Sequence, residues 1–490
     1  MTGAADSNAR RILLPRFMVT QTAGPDDNGA ERVEVPVSEA TPEGCYYVRP
    51  VMLEGERSRI DGKPRWVPHQ VNLFPVVLNA DGSPWPEANL YLLLRLENTP
   101  YPVMATFAGA ADDLAAYRRF LDGKGIDWTD FPSTKLSRPT YRYNAYLRLA
   151  AMAGELAAST AKRRMSTVVN FYRWLIQDGA FKPTAEPWRE SDRFVEFKDA
   201  HGRKVHKAVV TTDVAIRAPT QSDPYDGMLD DGGRLRPLPS EEQQWLAEAL
   251  AAAGNSEMTL VHLVAWLTGA RIQTVLTLRI RHVKDPVANG VTEIRIPVGP
   301  GTGVDTKGDK RQILHVPVWL YERLRNYALS ERAAKRRAKA SERDQPAEYL
   351  FLSNRGAPLY QSKEDSRVFN PESELHHAKS GQAVRQFIAE RVLPYIRKTY
   401  QLPEFHFQFH DLRATFGMNL TDSQLGLVEK GEITLHQARE FVKQRMGHES
   451  SSTTDRYLQF RQQQVQVRSA RFQYETHLKN LADLALGNDD

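Results

Sequence analysis

A polar stretch near the middle divides this chain. Residues 190–240 are poor in apolar side chains, and Pro, Asp and Gly concentrate in APTQSDPYDGMLDDGGRLRPLPS at its end. Such a composition breaks helices and strands and reads as a linker, so no single hydrophobic core is expected to run through it. The 490 residues are also long for one core, and two to four domains are expected. The major boundary is placed near 235.

Before the linker, residues 1 to about 30 read as loosely ordered. Residues 33–96 show short apolar runs broken by Pro and Gly. In NLFPVVLNADGSPWPEANLYLLL a turn at 79–84 separates two strand-like pieces. The segment 1–95 is read as a β-containing or extended region. Helical periodicity follows. ADDLAAYRRFLDGKGIDW puts Leu114, Tyr117 and Leu121 on one face and stops at Gly123. A second helix aligns Tyr143, Leu147 and Met152. A third carries Val168, Phe171, Trp174 and Leu175, with Ser159 or Thr160 as its cap and Gly179 at its end. Lys162, Arg163, Arg164 and Arg173 make this region basic, as many solvated helix faces are. A helical domain over 96–195 and a linker over 196–238 are expected.

After the linker, Ser240 opens a capping box leading into EEQQWLAEALAAAG. Helices are expected near 256–268 and 272–278. A strand pair, EIRIPV and RQILHVP, flanks the long loop GPGTGVDTKGDK. A basic helix or helix plus tail follows, in which AAKRRAKASER (333–343) reads as a solvated insert or a backbone-contacting patch. More helices fill 380–487. The fold class expected is mainly α with a small antiparallel β-sheet: a main domain over 239–475 and a tail over 476–490, whose Tyr474, Leu478, Leu481 and Ala485 recur at helical spacing.

Composition narrows the chemistry. The single cysteine, Cys45, excludes intrachain disulfides and thiolate-rich metal sites. It suits a cytosolic setting. No apolar run is long enough to cross a bilayer as a helix, and the start, MTGAADSNARRILLPRF, has too short an apolar stretch for a signal peptide. A net charge of +5 leans weakly toward an anionic partner.

Three motifs carry more. They are TGARIQTVLTLRIRHV (268–283), HDLRATFG (410–417) and RMGHESSSTTDRYLQF (445–460). His410 and Arg413, three apart, share a helix face. Gly447 ends a helix before His448, and the hydroxyls behind it cap the next helix, in which Tyr457 lies. The turn lets His448 and Tyr457 converge. Cutting a phosphodiester needs cations on its non-bridging oxygens, a nucleophile and a proton for the leaving oxygen. Arg271 and Arg413 suit the first task. Tyr457 suits the second, and two neighbouring arginines favour its phenolate. His410 is placed to take or return a proton. Lys307, at the loop tip, is the candidate for protonating the 5′ oxygen, with Lys310 close by. No nucleotide, metal or other cofactor is required.

The pattern resembles the catalytic domain of tyrosine recombinases, the phage-type integrases. Arg271 matches the family's first arginine, and His410 with Arg413 its His-x-x-Arg pair. His448 matches the second histidine, Tyr457 the nucleophile, and Lys307, less securely, the hairpin lysine. The region 96–195 resembles the family's core-binding domain. The likeness covers about 100–475, whereas 1–95 match no arm-binding domain. It implies a DNA clamp working on double-stranded recombination sites through a covalent 3′-phosphotyrosine and a Holliday junction. A tetramer assembled on DNA, accessory proteins, a nucleoid-associated cytoplasmic location and a tail docked in trans are further implications. A tail packed on its own domain is the competing reading. Two departures from the pattern are the long segment between Arg413 and His448 and the long hairpin loop.

Three alternatives stay open: a type IB topoisomerase with similar phosphotyrosine chemistry, a metal-dependent nuclease using His410, Asp411 and His448, and a non-enzymatic DNA-binding descendant. His262, His282, His315 and His406 are read as structural, and His376–His377 as an exposed loop.

Overall fold

The computed structural model describes residues 8–39, 41–57, 64–99, 102–198, 204–217, 227–340, 347–363, 380–461 and 478–479. They form helices joined to small antiparallel sheets, as the fold class expected from the sequence requires. None of the described helices is long and apolar enough to cross a membrane. Two compact units emerge, one from Met1–Thr220 and one from Gln221–Glu364 with Lys379–Asp490.

In the first unit the first strand begins at Arg10. Strand Arg10–Leu14 pairs antiparallel with Phe74–Leu78, in register Arg10 to Leu78. A three-stranded sheet runs in the order Thr20–Ala23, Cys45–Pro50, Glu31–Glu34. The loosely ordered start expected over 1–30 is therefore corrected for residues 10–23, where ladder hydrogen bonds hold the backbone. The second strand-like piece after the 79–84 turn is also corrected. It is helix Pro86–Glu97, with proline at its first position and Ala88, Tyr91, Leu92 and Leu96 on its buried side. The run LYLLL hid that 3.6-residue period. Asn89 clips this helix to the strand, accepting from Val77 N–H at 2.7 Å and donating to Val77 O at 3.0 Å.

Helices Met104–Lys124, Pro139–Met152 and Ala158–Gln177 complete the unit. One core takes in Phe74 and Val77 from the strand, Trp85, and Leu114, Tyr117, Tyr143, Leu147, Phe171 and Tyr172 from the helices. The N-terminal strands thus share the helices' core. Some local expectations fail. Met104–Lys124 ends at Gly125 in the left-handed region, not at Gly123. Met152 is 83% exposed at a helix end. Neither Ser159 nor Thr160 caps Ala158–Gln177, whose N-cap is Ala157. Gly179, just past that helix, does take a positive φ. Arg163 and Arg164 face the buried Asp113, and Arg173 pairs with Glu190, so three of the four noted cations answer local carboxylates.

The expected linker contains structure of its own. Strands Glu190–Lys198 and Lys204–Thr212 form an antiparallel ribbon, and Val214 and Ile216 join the first core. A tight hairpin pairs Leu229–Asp230 with Arg234–Leu235. Low hydrophobicity here does not exclude strands, since the described parts of this stretch pair as antiparallel ribbons.

In the second unit, helix Ser240–Ala253 has Pro239 at its N-cap and no capping box, because Ser240 already lies inside the helix. Helices Ser256–Thr268 and Ile272–Leu276 follow. Strands Glu293–Val298 and Gln312–Pro317 pair in register Val298 to Gln312. The basic segment divides at Ser330, whose hydroxyl accepts from Ala333 N–H and starts helix Glu331–Arg337 after Val318–Leu329. This segment is not a solvated insert over its described part. Buried Glu257 holds Arg332 and Arg336, and Arg337 is buried against Ala328 O. Residues 341–343, His376–His377 and nearly all of the 476–490 tail lie outside the described residues.

Helices Asp411–Glu429 and Leu435–Met446 pack side by side and fill the long interval between Arg413 and His448. Residues 451–461 form one more helix.

Candidate active site

Each motif places its residue through a local turn. Ser256–Thr268 ends at Gly269 with φ 67°, and Arg271 follows as the N-cap of Ile272–Leu276. A Cβ on Gly269 would lie 2.6 Å from the Phe416 ring, so both the backbone angle and the space require glycine. His410 is the N-cap of Asp411–Glu429 and Arg413 sits in its first turn. Asp411, between them in the sequence, accepts from the backbone N–H groups of Gln408 and Arg236. Its carboxylate is thus engaged in holding backbone. Gly447 ends Leu435–Met446 in the left-handed region, and the Ser450 hydroxyl accepts from Ser452 N–H at the start of the next helix.

These turns gather Arg271, Arg413, His448 and Tyr457 around one carboxylate, that of Asp231 at the tip of the 229–235 hairpin. Arg413 Nε is 2.7 Å from Asp231 Oδ2. The Tyr457 hydroxyl donates to the same oxygen at 3.1 Å, and His448 Nε2 lies 3.3 Å from it. Arg271 Nη2 is 3.7 Å from Oδ1. Lys307 Nζ donates to the next carbonyl, Gly232 O, at 3.1 Å. Lys310 instead pairs with Glu449 at 2.7 Å.

The supporting contacts are specific. Arg413 also donates to Gly269 O at 2.9 Å and Met446 O at 2.8 Å, which ties the three motifs together. Thr454 Oγ1 lies 3.0 Å from His448 Nδ1 and fixes the ring with Nε2 toward Asp231. Tyr457 is fully buried among Leu229, Met418, Val442, Met446 and Phe460. Its ring lies over Gly417, where a Cβ would come within 2.3 Å of Cε1.

Electrostatics follow from burial and from these charges. Burial alone would raise the Asp231 carboxyl, but the His448 hydrogen bond and the Arg413 charge outweigh it and hold the group far below the usual carboxylate range. Burial lowers Arg271 to about 10, helped by Arg413. Burial also lowers His410 to about 4, reinforced by Arg271 and Arg413. His448 is lowered by burial in spite of Asp231. The Tyr457 phenol is raised well above its ordinary value, first by burial and then by the Asp231 charge. Arg413 and Arg271 do pull the phenol toward its ionised form, as expected, but burial and then the Asp231 charge outweigh them, so the hydroxyl keeps its proton and donates it to Asp231.

Among solved structures, the chain is similar to the Tn1549 transposon integrase. Its complex with circular-intermediate DNA aligns over 76% of this chain and 94% of that one, at 15% identity and a TM-score of 0.40. A variant of it on another circular-intermediate DNA aligns at 14% identity with a TM-score of 0.42, and a complex with transposon right-end DNA at 14% and 0.40. Alignments this distant assign no activity. No protein-family model and no curated protein matches the chain.

Sequence reasoning named Arg271, His410, Arg413, His448, Tyr457 and Lys307, and the structure brings all six to one region. It missed Asp231 and Gly417. Asp231 lies in DDGG, which signals only a turn. Gly417 stands in the HDLRATFG motif, but its reason, a tyrosine ring forty residues on, is invisible locally. The histidines read as structural have protein partners: His262 with Met258 O, His282 with Arg279 N–H, His315 with Glu293 and His406 with Gln408.

Proposed function

We propose that the chain is a site-specific DNA recombinase of the tyrosine type. The observation that carries this reading is the convergence of Arg271, Arg413, His448 and the Tyr457 hydroxyl on one oxyanion. A phosphodiester carries the same single charge on two terminal oxygens. A site that holds a carboxylate with two guanidiniums, an imidazole and a phenol has the donors a scissile phosphate needs.

In this reading Arg413 and Arg271 bind the non-bridging oxygens and His448 Nε2 donates to one of them. The Tyr457 oxygen attacks phosphorus, a Tyr–O–P bond forms, and the P–O5′ bond breaks. His410 is the acceptor for the phenol's proton in this reading; burial and neighbouring cations keep its ring neutral at pH 7. Lys307 gives a proton to the departing 5′ oxygen. The 3′-phosphotyrosine retains the bond energy, so a 5′-hydroxyl from a second duplex reseals the strand without a nucleotide cofactor. Two such exchanges pass through a Holliday junction, with four protomers on two sites. Residues 96–195 act as the core-binding domain and 239–475 as the catalytic domain. Double-stranded DNA is the partner, and the protein works at the nucleoid.

The test is a nicked duplex taken from the flank of the chain's own gene, incubated with protein in EDTA. A covalent adduct with the native chain and none with Tyr457→Phe is expected. Dependence on divalent metal would favour the nuclease alternative, and relaxation of supercoiled DNA without sequence preference the topoisomerase.

A further inference from the structure

The place where a phosphate belongs is filled by the protein itself. Resting on the reading above, we propose that the 229–235 hairpin is a built-in substrate mimic, with the Asp231 carboxylate standing in for the scissile phosphate and closing the site until DNA displaces it.

The contacts are those of an occupant. Asp231 Oδ2 collects the Arg413 guanidinium, the Tyr457 hydroxyl and His448 Nε2, while Oδ1 faces Arg271. Asp231 is 3% exposed, so a phosphate has no room beside it. The rest of the tip is held by the same machinery. Lys307 donates to Gly232 O, and Arg456, next to the nucleophile, donates to Asp230 O at 2.9 Å. Leu229 packs in the cluster that encloses Tyr457. The cations seen to hold the tip, Arg413, Lys307 and Arg456, carry the charge that a DNA phosphate would compete for.

The hairpin is also shaped for this fit. Gly232 has φ 70°, and a Cβ there would lie 2.7 Å from Lys307 Nζ and 3.5 Å from Arg271 Nη2. Glycine lets the tip enter between the two cations. Its C-terminal side is pinned to the catalytic helix, with Arg236 N–H donating to Asp411 and Leu238 N–H to Thr415. These anchors lie outside the phosphate space, so the tip can leave while they hold. A purely structural ion pair requires neither the nucleophile's hydroxyl nor the leaving-group lysine on the same turn.

Closure lowers apparent affinity in proportion to the open fraction. The test uses the full chain and inorganic phosphate as the probe. Asp231→Ser and Asp231→Asn are expected to bind phosphate at least about tenfold more tightly than the native chain, read from the midpoint of thermal unfolding against phosphate concentration. Equal responses overturn the proposal. In the native chain, a short duplex is expected to speed amide hydrogen exchange over 229–235, and unchanged protection with DNA bound also overturns it. That second measurement stands if a variant fails to fold. Tighter phosphate binding in the variants with no covalent DNA adduct in any form keeps the mimic and removes the recombinase. Adduct formation with the hairpin still protected does the reverse.

Discussion

Arg413 Nε lies 2.7 Å from Asp231 Oδ2, and both side chains are only 4% exposed. The arginine comes from the first turn of a helix and the aspartate from a hairpin 182 residues earlier in the chain. Removing one partner of such a pair leaves the other charged and buried, at a cost of about 3–5 kcal/mol. Arg413→Ala should therefore lose stability on that scale in urea unfolding. Adding Asp231→Asn should recover part of the loss, because the two changes are coupled. Additive losses would show that the pair is not what holds the hairpin.

His410 gives a pH signature. Its folded pKa, about 4, lies below the ordinary value of 6.5. The unfolded chain thus binds the proton more readily, and stability is full above about 6.5 and falls as pH drops toward 4. Burial depresses it most, Arg271, Arg413 and Lys307 add to that, and Asp231 opposes them. His410→Gln should flatten the fall in unfolding free energy over that window. His262 and His282, also lowered to about 4, should keep part of the slope. An unchanged slope would contradict burial of His410 in its neutral form.

Lys307 and Lys310 are three residues apart but differently engaged. Lys307 reaches the hairpin tip, and Lys310 pairs with Glu449. Lys307→Ala should slow DNA cleavage by about 10²–10⁴-fold, the usual range for a lost general acid. A substrate with sulfur at the bridging 5′ position needs no such proton and should restore the rate. Lys310→Ala should change little. The opposite pattern would move the assignment to Lys310.

Gly417 lies under the nucleophile's ring. Gly417→Ala places a methyl 2.3 Å from Tyr457 Cε1 and 3.0 Å from Met446 Cε. About 1–3 kcal/mol of destabilisation is expected from overpacking. The tyrosine should also become reactive to iodination, read by peptide mapping. Native stability with a protected Tyr457 would show that the ring is not wedged there.

Glu257 is 1% exposed and is held by Arg332 and Arg336. Glu257→Ala should cost about 1–3 kcal/mol and loosen helix Glu331–Arg337, measured by hydrogen exchange over 331–337. Unaltered exchange there would mean that the helix is held by packing alone.

The sequence by itself determined the residues that meet at the site. Arg271, His410, Arg413, His448 and Tyr457 sit in motifs whose helix ends and spacings are local, and Gly447 ended its helix where its neighbours said it should. It also determined the helical character of both halves and the strand pair around the Lys307 loop. Local rules failed where several were satisfied at once, as in LYLLL of Pro86–Glu97, or where polar composition disguised ribbon, as at 190–212. Only the tertiary structure decided what stands in the centre of the site. Asp231 is one acidic residue in a glycine turn, and nothing near it in sequence predicts burial. Its burial depends on cations far along the chain, Arg413 being 182 residues away, whose charges offset its desolvation. The same packing reversed the expected ionisation of Tyr457, since the sequence showed neither the burial of the phenol nor the carboxylate beside it, which together outweigh the two arginines.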